Sequence, residues 1–380
     1  MDERVDEIFK KSHKVLLTQD DKEFLKKEIE RGSVKALKYL AIMYYYGFGV
    51  EKNHKKTQEY FEKAAKLGDE ESIIINMRYK YLEEKQVDYV KLFEYEQRYH
   101  KEDRYFERIK KRIDAGMEVI AVESLIDLVP KQLNEEYDNN IKLKKTIKSI
   151  IEFLNCKNEN TIINTKIDTG IFSFHCSNFY TAADIKKILR AFYGLLKDID
   201  LNQNEEDIFM QIYIKLGMLL HYDNDIFKNY FEEKMSISRN LMTIINKKGV
   251  CFGYAIVLKE LLKMSGIEAT VLKSKRDEEN FSHVYNQVKL NGKWYYCDLT
   301  NEPIKLGLIR YCLRSREKFS KSFYHQTSNI EQEHETCEDY PNTQLLFVKN
   351  YCKLFKKGLR MSLGQTKELN DVKGEGGKTR

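Results

Sequence analysis

Through about the first 155 residues, apolar positions recur three and four apart, the spacing of helices with one buried face. In 56-KTQEYFEKAAKLG-68 the apolar set is Tyr60, Phe61, Ala64, Ala65 and Leu67. Helical spacing is predicted to continue through IDAGMEVIAVESLIDLV (113–129) and IKLKKTIKSIIEFL (141–154). From about residue 160 the pattern changes. TIINTKIDTGIFSFHC (161–176) is rich in Thr, Ile and Phe and partly alternates, which predicts strands. TAADIKKILRAFYGLLKDID (181–200) reads as a helix capped by Thr181, and Ile208, Ile212, Leu216, Leu219 and Leu220 give the next helix its apolar face. A further helix runs from about Cys251 to Ser265 and stops at Gly266, and IEATVLKS (267–274) is strand-like. The order helix, strand, hairpin predicts an α+β domain.

The hairpin is the strongest local signal. In 283-HVYNQVKLNGKWYYCDLT-300, Asn291-Gly292 is the preferred pair for a two-residue type I′ turn. That turn sets the register: Leu290 faces Lys293 and Asp298 faces Tyr285. His283 and Asp298 then become diagonal neighbours on one face, roughly 7–8 Å apart in the backbone and within side-chain reach. The same face carries Tyr285, Gln287, Trp294, Tyr296 and Thr300. The opposite face, with Val284, Val288, Leu290, Tyr295, Cys297 and Leu299, is the more apolar and is expected to meet the core. Cys297 therefore points away from its neighbour Asp298 and reads as a small core residue.

The helical part repeats itself. Gly32 and Gly68 stand 36 residues apart, and between them lie a helix, a turn with Gly47 and Gly49, and a second helix. The pattern resembles a Sel1-like repeat, a relative of the tetratricopeptide repeat, on Ala36, Leu40, Tyr44, Gly47, Gly49, Val50, Phe61, Ala64, Ala65 and Gly68. A second copy fades over 68–105, where the glycine pair is missing. One hairpin cannot bury its own apolar face, so it is expected to stack on degraded neighbours. The resemblance implies a groove for a protein partner; the plainer reading is a helical domain that only packs.

Composition narrows the classes. With 380 residues, 42% hydrophobic and 33% charged, the chain suits a soluble globular protein of more than one domain. It has no apolar run of 18 residues, so no transmembrane segment is expected. The start, MDERVDEIFKKSHK, does not read as a secretion signal, and a cytoplasmic location is the default expectation. The seven cysteines are odd in number and scattered, with no CxxC pair. That argues for reduced thiols and against a disulfide framework or a metal site, and no cofactor is expected. The net charge of +6 gathers in the tail, which from Lys353 onward holds eight basic and three acidic residues. The tail, 356–380, is expected to be disordered and solvated rather than a specific nucleic-acid contact.

The remaining signal is 247-KKGVCFGYA-255, a cysteine between two glycines where a loop turns into a helix. A thiol at a helix N-terminus has its thiolate stabilised by free N–H groups and the dipole, and a nearby His⁺ adds to this. Residues 205–330 resemble the transglutaminase-like superfamily, relatives of papain-type thiol enzymes. The resemblance rests on G-V-C-F-G-Y-A (249–255), S-G-I-E-A (265–269), H-V-Y-N-Q-V (283–288) and G-K-W-Y-Y-C-D-L-T (292–300). In that family such motifs supply Cys, His and Asp in order, which here are Cys251, His283 and Asp298. Gly249 and Gly253 would let backbone approach substrate, the Cys251 N–H would donate to an oxyanion, Tyr285 and Trp294 would line the site, and Tyr222 is the candidate for a second oxyanion donor. Tyr285 stands where the family often has Trp, and Asn301-Glu302 follows where some members continue with Trp.

The implied organisation is an all-α helical-repeat domain (1–155), an α+β transglutaminase-like domain (160–355) with the nucleophile helix packed on an antiparallel sheet, and the tail. The implied function is acyl transfer from peptide or glutamine amides of a protein substrate, to water or to an amine, with the repeat docking substrate or partner. Hydrolysis is favoured because nothing resembles the flanking β-domains of animal cross-linking enzymes. The alternative is a non-catalytic interaction scaffold that works through the repeat.

Overall fold

Ser, Thr and Asn caps set the helix boundaries of the N-terminal part. In the computed structural model, which describes residues 2–12, 15–73, 75–77, 90, 94, 104–128, 138–157, 161–165, 179–224, 238–275, 282–321, 334, 336 and 338–355, α1 is Asp2–Ser12, α2 Gln19–Glu30, α3 Val34–Tyr46 and α4 His54–Lys66. Thr18 caps α2 in a reciprocal box with Asp21, Ser33 caps α3 and Asn53 caps α4. Gly47 ends α3 in the left-handed conformation. Gly49 is needed for space as well, since a Cβ there would lie 2.9 Å from Leu17 and Ser12. The α3–α4 hairpin buries its face against the helices before it: Ala36, Leu40, Met43 and Val50 share a core with Val5, Ile8, Leu17 and Leu25. Ala41, Tyr45, Phe61 and Ile75 form a second cluster. The fading second copy falls largely outside the described residues, and the basic tail wholly so.

The chain divides into two compact units near residue 101. The second unit takes in helices that the sequence pattern groups with the N-terminal part. It begins with α5 (Arg104–Asp114), β1 (Val119–Val122) and α6 (Asn139–Cys156). The helical spacing read over 113–129 is overridden at β1. Gly116, at φ 73°, breaks the chain after α5, and Val119–Val122 joins a ladder parallel to β2 (Ile162–Thr165). β2 in turn pairs antiparallel with β3 (Phe179–Thr181). A residue that completes a ladder gains more than its local period offers. The rest of the strand-like stretch, 166–176, lies outside the described residues.

Thr181 caps α7 (Ala182–Leu196) as the sequence predicts, again with a reciprocal carboxylate, Asp184. α8 (Glu205–Leu219) follows, and α11 (Thr343–Phe355) packs on it through Gln211–Asn350 (2.8 Å) and Asp207–Lys349 (2.7 Å). No described helix is long and apolar enough to cross a membrane.

The centre of this unit is α10 (Cys251–Met264), buried almost all round from Phe252 to Leu262. One side meets the antiparallel sheet of β6 (Ala269–Lys275), β7 (Ser282–Leu290) and β8 (Lys293–Cys297). Glu260 on the helix accepts from Ser124 Oγ (2.6 Å) and Leu125 N–H (3.0 Å). The β7–β8 register is the predicted one, with Leu290 opposite Lys293 and Asn286 opposite Cys297. Asn291 (φ 49°) and Gly292 (φ 78°) both hold the positive φ of a type I′ turn. Both faces of the hairpin are buried, not only the apolar one. Tyr285 and Tyr296, with Leu272 and Phe319, form an aromatic cluster on the His283 face. The ladder ends at Cys297, and Asp298 turns its N–H to Tyr311 O (3.2 Å).

Candidate active site

The segment leading into Cys251 is held from behind. β4 (His221–Tyr222) and β5 (Lys248–Gly249) make a two-residue parallel pair, entered through Lys247 in the left-handed region. Val250 N–H donates to Ser238 O (3.0 Å), and α9 (Thr243–Asn246) packs alongside. Val250 occupies the N-cap position and makes no side-chain cap bond, so no cap side chain takes the first-turn N–H groups beside Cys251. The flanking glycines serve this packing. A Cβ on Gly253 would stand 2.3 Å from Thr243 Oγ1 and 2.4 Å from Ser238 O, and one on Gly249 would stand 2.6 Å from Thr243 Cγ2. The close approach at Gly253 is to protein, which corrects the expectation that it opens the backbone to substrate. Gly253→Ala is expected to lower the unfolding free energy by about 3 kcal/mol, the upper end for overpacking, because the neighbour is backbone; a urea melt within about 0.5 kcal/mol of wild type would exclude this.

His283 lies near the start of β7, 4% exposed, and its Nε2 is 2.8 Å from Asp298 Oδ2. A carboxylate on Nε2 assigns the ring proton to that nitrogen and leaves the other for the Cys251 thiol, to which the ring is hydrogen-bonded. The sulfur also accepts from Val284 N–H. Asp298 is fully buried and held from three sides: by His283, by Thr300 N–H on Oδ1 (3.0 Å) and by Asn301 Nδ2 on Oδ2 (2.8 Å).

The charges follow from these contacts. Burial pushes the Cys251 thiol up, but the hydrogen bond and charge of His283 more than offset it, so the thiol is held below its ordinary value. Burial opposes the charged form of His283, yet the Asp298 carboxylate and the thiolate raise it to about 10. The site thus favours a thiolate–imidazolium pair. Burial pushes Cys297 and Cys312 the other way, well above the usual thiol range. Cys156 and Cys352 have no such partner arrangement at a helix N-terminus, and Cys176 and Cys337 lie outside the described residues.

Of the other expected residues, Tyr222 lies beside the site. It pairs with Gly249 in β4–β5, and burial, then the Cys251 thiolate, push its hydroxyl up. Tyr285 does not line an opening. It is 1% exposed and packs on Phe319 (ring centres 4.9 Å apart), with its ring 5.9 Å from that of His283. Trp294 is on the predicted face but stands opposite Lys289, six residues along β7 from His283, about 20 Å away. It stacks on His334 at 3.9 Å. The register places Trp294 on the right face but also carries it down the strand, so it is not a site residue. Among the described residues no group of three His, Cys, Asp or Glu could hold a metal ion.

Two residues next to Asp298 carry roles that a motif does not disclose. Asn301 shares Oδ2 with His283 and approaches Nε2 at 3.4 Å. Glu302 accepts from Arg310 and Tyr311 N–H (2.7 Å each) and from Tyr213 OH (3.2 Å), fixing the loop whose Tyr311 carbonyl takes the Asp298 N–H. Burial pushes the Glu302 carboxyl up to about 8 despite these donors. Their sequence signal was two polar residues where some members of the family continue with Trp. Asn301→Ala is expected to cost about 2 kcal/mol of stability, since a fully buried carboxylate loses a donor; an unchanged denaturation midpoint would show that the amide is dispensable.

Comparison with known proteins finds two family models that match. A Sel1 repeat model matches residues 34–69, and a transglutaminase-like domain model matches residues 130–323. Among curated proteins none matches the chain. Of solved structures, a TGase is similar at 20% identity over 32% of this chain and 34% of that one, with a TM-score of 0.28. A protein from Cytophaga hutchinsonii, provisionally described as a cysteine protease, is similar at 18% identity over 30% of this chain and 37% of that one, with a TM-score of 0.23. The chain thus spans about a third of the length of the solved structures it matches. The transglutaminase-like match takes in just over half of the residues, and the chain belongs to that family.

Proposed function

We propose that this protein is a cysteine acyl-transfer enzyme acting on amide groups of a protein or peptide. The observation that carries the reading is the hydrogen-bonded line from Cys251 through His283 to Asp298, buried at its far end and reaching the half-exposed thiol at its near end. The Cys251 thiolate attacks the amide carbonyl. The C–N bond breaks, and the amine or ammonia leaves with the proton that His283 holds. A thioester remains on Cys251. Water or an amine, deprotonated by His283, then takes the acyl group and returns the thiol. Asp298 keeps the ring in one tautomer and stabilises its charge. First-turn N–H groups of α10 stabilise the oxyanion, with the Tyr222 hydroxyl as a second donor. The Sel1 repeat is read as a module that binds the protein substrate or a partner.

The test is incubation with a glutamine peptide, with and without a labelled primary amine, followed by mass measurement. A gain matching amide-to-acid conversion, peptide cleavage, or an amine adduct each supports acyl transfer and names the acceptor. No change of mass in any arm, with Cys251 alkylating normally, would contradict it.

A further inference from the structure

One cation near Cys251 has no ion-pair partner among the described residues. Arg239 follows Ser238, whose carbonyl takes the Val250 N–H at 3.0 Å, one residue before Cys251. The backbone on either side of it is fixed. Ser238 is buried and donates its hydroxyl to Asp223 Oδ2 (2.5 Å), and Asn240 is fully buried and accepts from Met242 N–H (2.7 Å). Leu241 N–H is tied to Tyr180 OH (3.1 Å). Between these anchors the Arg239 side chain is half-buried and has no hydrogen bond or ion pair with any described residue.

Two described carboxylates of this region already have cationic partners. Lys248 sits on Asp223 Oδ1 at 3.0 Å, and the Asp298 carboxylate is matched by His283. The Ser238–Val250 hydrogen bond leaves Arg239 and Cys251 each one residue from the same backbone contact. Both also act on the Tyr222 hydroxyl, which burial and then the Cys251 thiolate push up and Arg239 pulls down. A guanidinium left half out of water with no partner among the described residues forgoes bidentate pairing with a carboxylate, the contact for which its planar fork is suited.

We propose that Arg239 determines substrate specificity by pairing with a carboxylate beside the amide that Cys251 attacks, so that the enzyme acts on acidic peptides. The inference rests on Cys251 being the attacking thiol. The carboxylate comes from an Asp or Glu side chain or from a chain end, and these chemistries are alike at the guanidinium.

The experiment compares alkylation of Cys251 by iodoacetate, which carries a carboxylate, and by iodoacetamide, its neutral isostere. The full chain is used, with peptide mapping. Both rates scale with the thiolate fraction, so their ratio reports only what meets the incoming carboxylate. Arg239→Gln is expected to lower the iodoacetate-to-iodoacetamide ratio about fivefold, the effect of one unit charge at about 4 Å in water. Arg239→Lys is expected to keep most of the ratio, and Arg239→Glu to lower it further. An unchanged ratio in Arg239→Gln overturns the proposal, including the case where both rates fall together, which would make Arg239 a partner of the thiol instead. If Cys251 of the wild type resists both reagents, the acyl-transfer reading itself fails. Competition then identifies the source: an amidated peptide with Glu beside Gln, or a neutral peptide with a free C-terminal carboxylate, should slow alkylation in the wild type and not in Arg239→Gln. Slowing by neither would also overturn the proposal.

Discussion

Replacing Cys251 by alanine is expected to abolish amide turnover, a loss of about 10⁴-fold or more, because it removes the sulfur that His283 activates to form the thioester. The effect should be confined to this cysteine. Cys297 and Cys312 are buried and held far above the range in which a thiolate forms at neutral pH, so serine at either position should leave turnover within a few-fold of wild type. The pH dependence separates this account from simple exposure. An ordinary thiol is only about 0.3% ionised at pH 6. Cys251, held low by His283, should alkylate well there, and its rate should fall only as pH drops through that depressed value. On the alkaline side, His283 loses its proton as pH rises through about 10, and with it the acid needed by the leaving amine. Stability follows the same sign. A histidine raised from 6.5 to about 10 contributes stability that is fully present below about 6.5 and lost as pH rises through about 10. Equal, slow labelling of the described thiols at pH 6 would refute the depressed value.

Asp298→Asn is the second large effect. The side chain keeps its shape, and the Thr300 N–H can still find an acceptor, but an amide can place N–H₂ where Oδ2 now meets the ring. Either that amide opposes the Nε2 proton or the ring changes tautomer and turns an N–H toward the sulfur. Both routes remove the base. Turnover should fall about 10³- to 10⁴-fold, by analogy with the equivalent change in serine proteases. Thiol alkylation at pH 6 should fall with it, since the imidazolium that depresses the thiol is no longer favoured. Steady-state kinetics and labelling, measured on the same preparation, check both. A variant that lost turnover but kept its low-pH labelling would separate Asp298 from the thiol's ionisation.

The clustering of His283 and Asp298 that the proposed triad needs was legible because its signals are local and geometric. Asn291-Gly292 fixes a turn, the turn fixes the register, and the register brings His283 and Asp298 to one face and turns Cys297 to the other. Thr181 as a cap and Gly266 as a stop likewise act within a few residues. What the sequence concealed is tertiary. Val119–Val122 has helical spacing but finds a parallel partner more than forty residues later. The aromatic residues of the His283 face look like a binding surface until Phe319 and Tyr311 arrive to cover them. Gly253 looks like room for substrate until Ser238 and Thr243 fill it. Asn301 and Glu302 look like departures from a family pattern, and become meaningful only when the loop brings Asp298, Tyr213 and Tyr311 against them.

The central claim is that Cys251 carries the acyl group. The most direct measurement is to mix the protein with an activated ester such as p-nitrophenyl acetate at pH 6, quench in acid within seconds, and map the acyl mass by peptide. One acetyl group is expected, on the peptide bearing Cys251, formed in the wild type and absent from Cys251→Ala. Acylation of another residue, or of Cys251 at the same rate in His283→Ala as in the wild type, would contradict it.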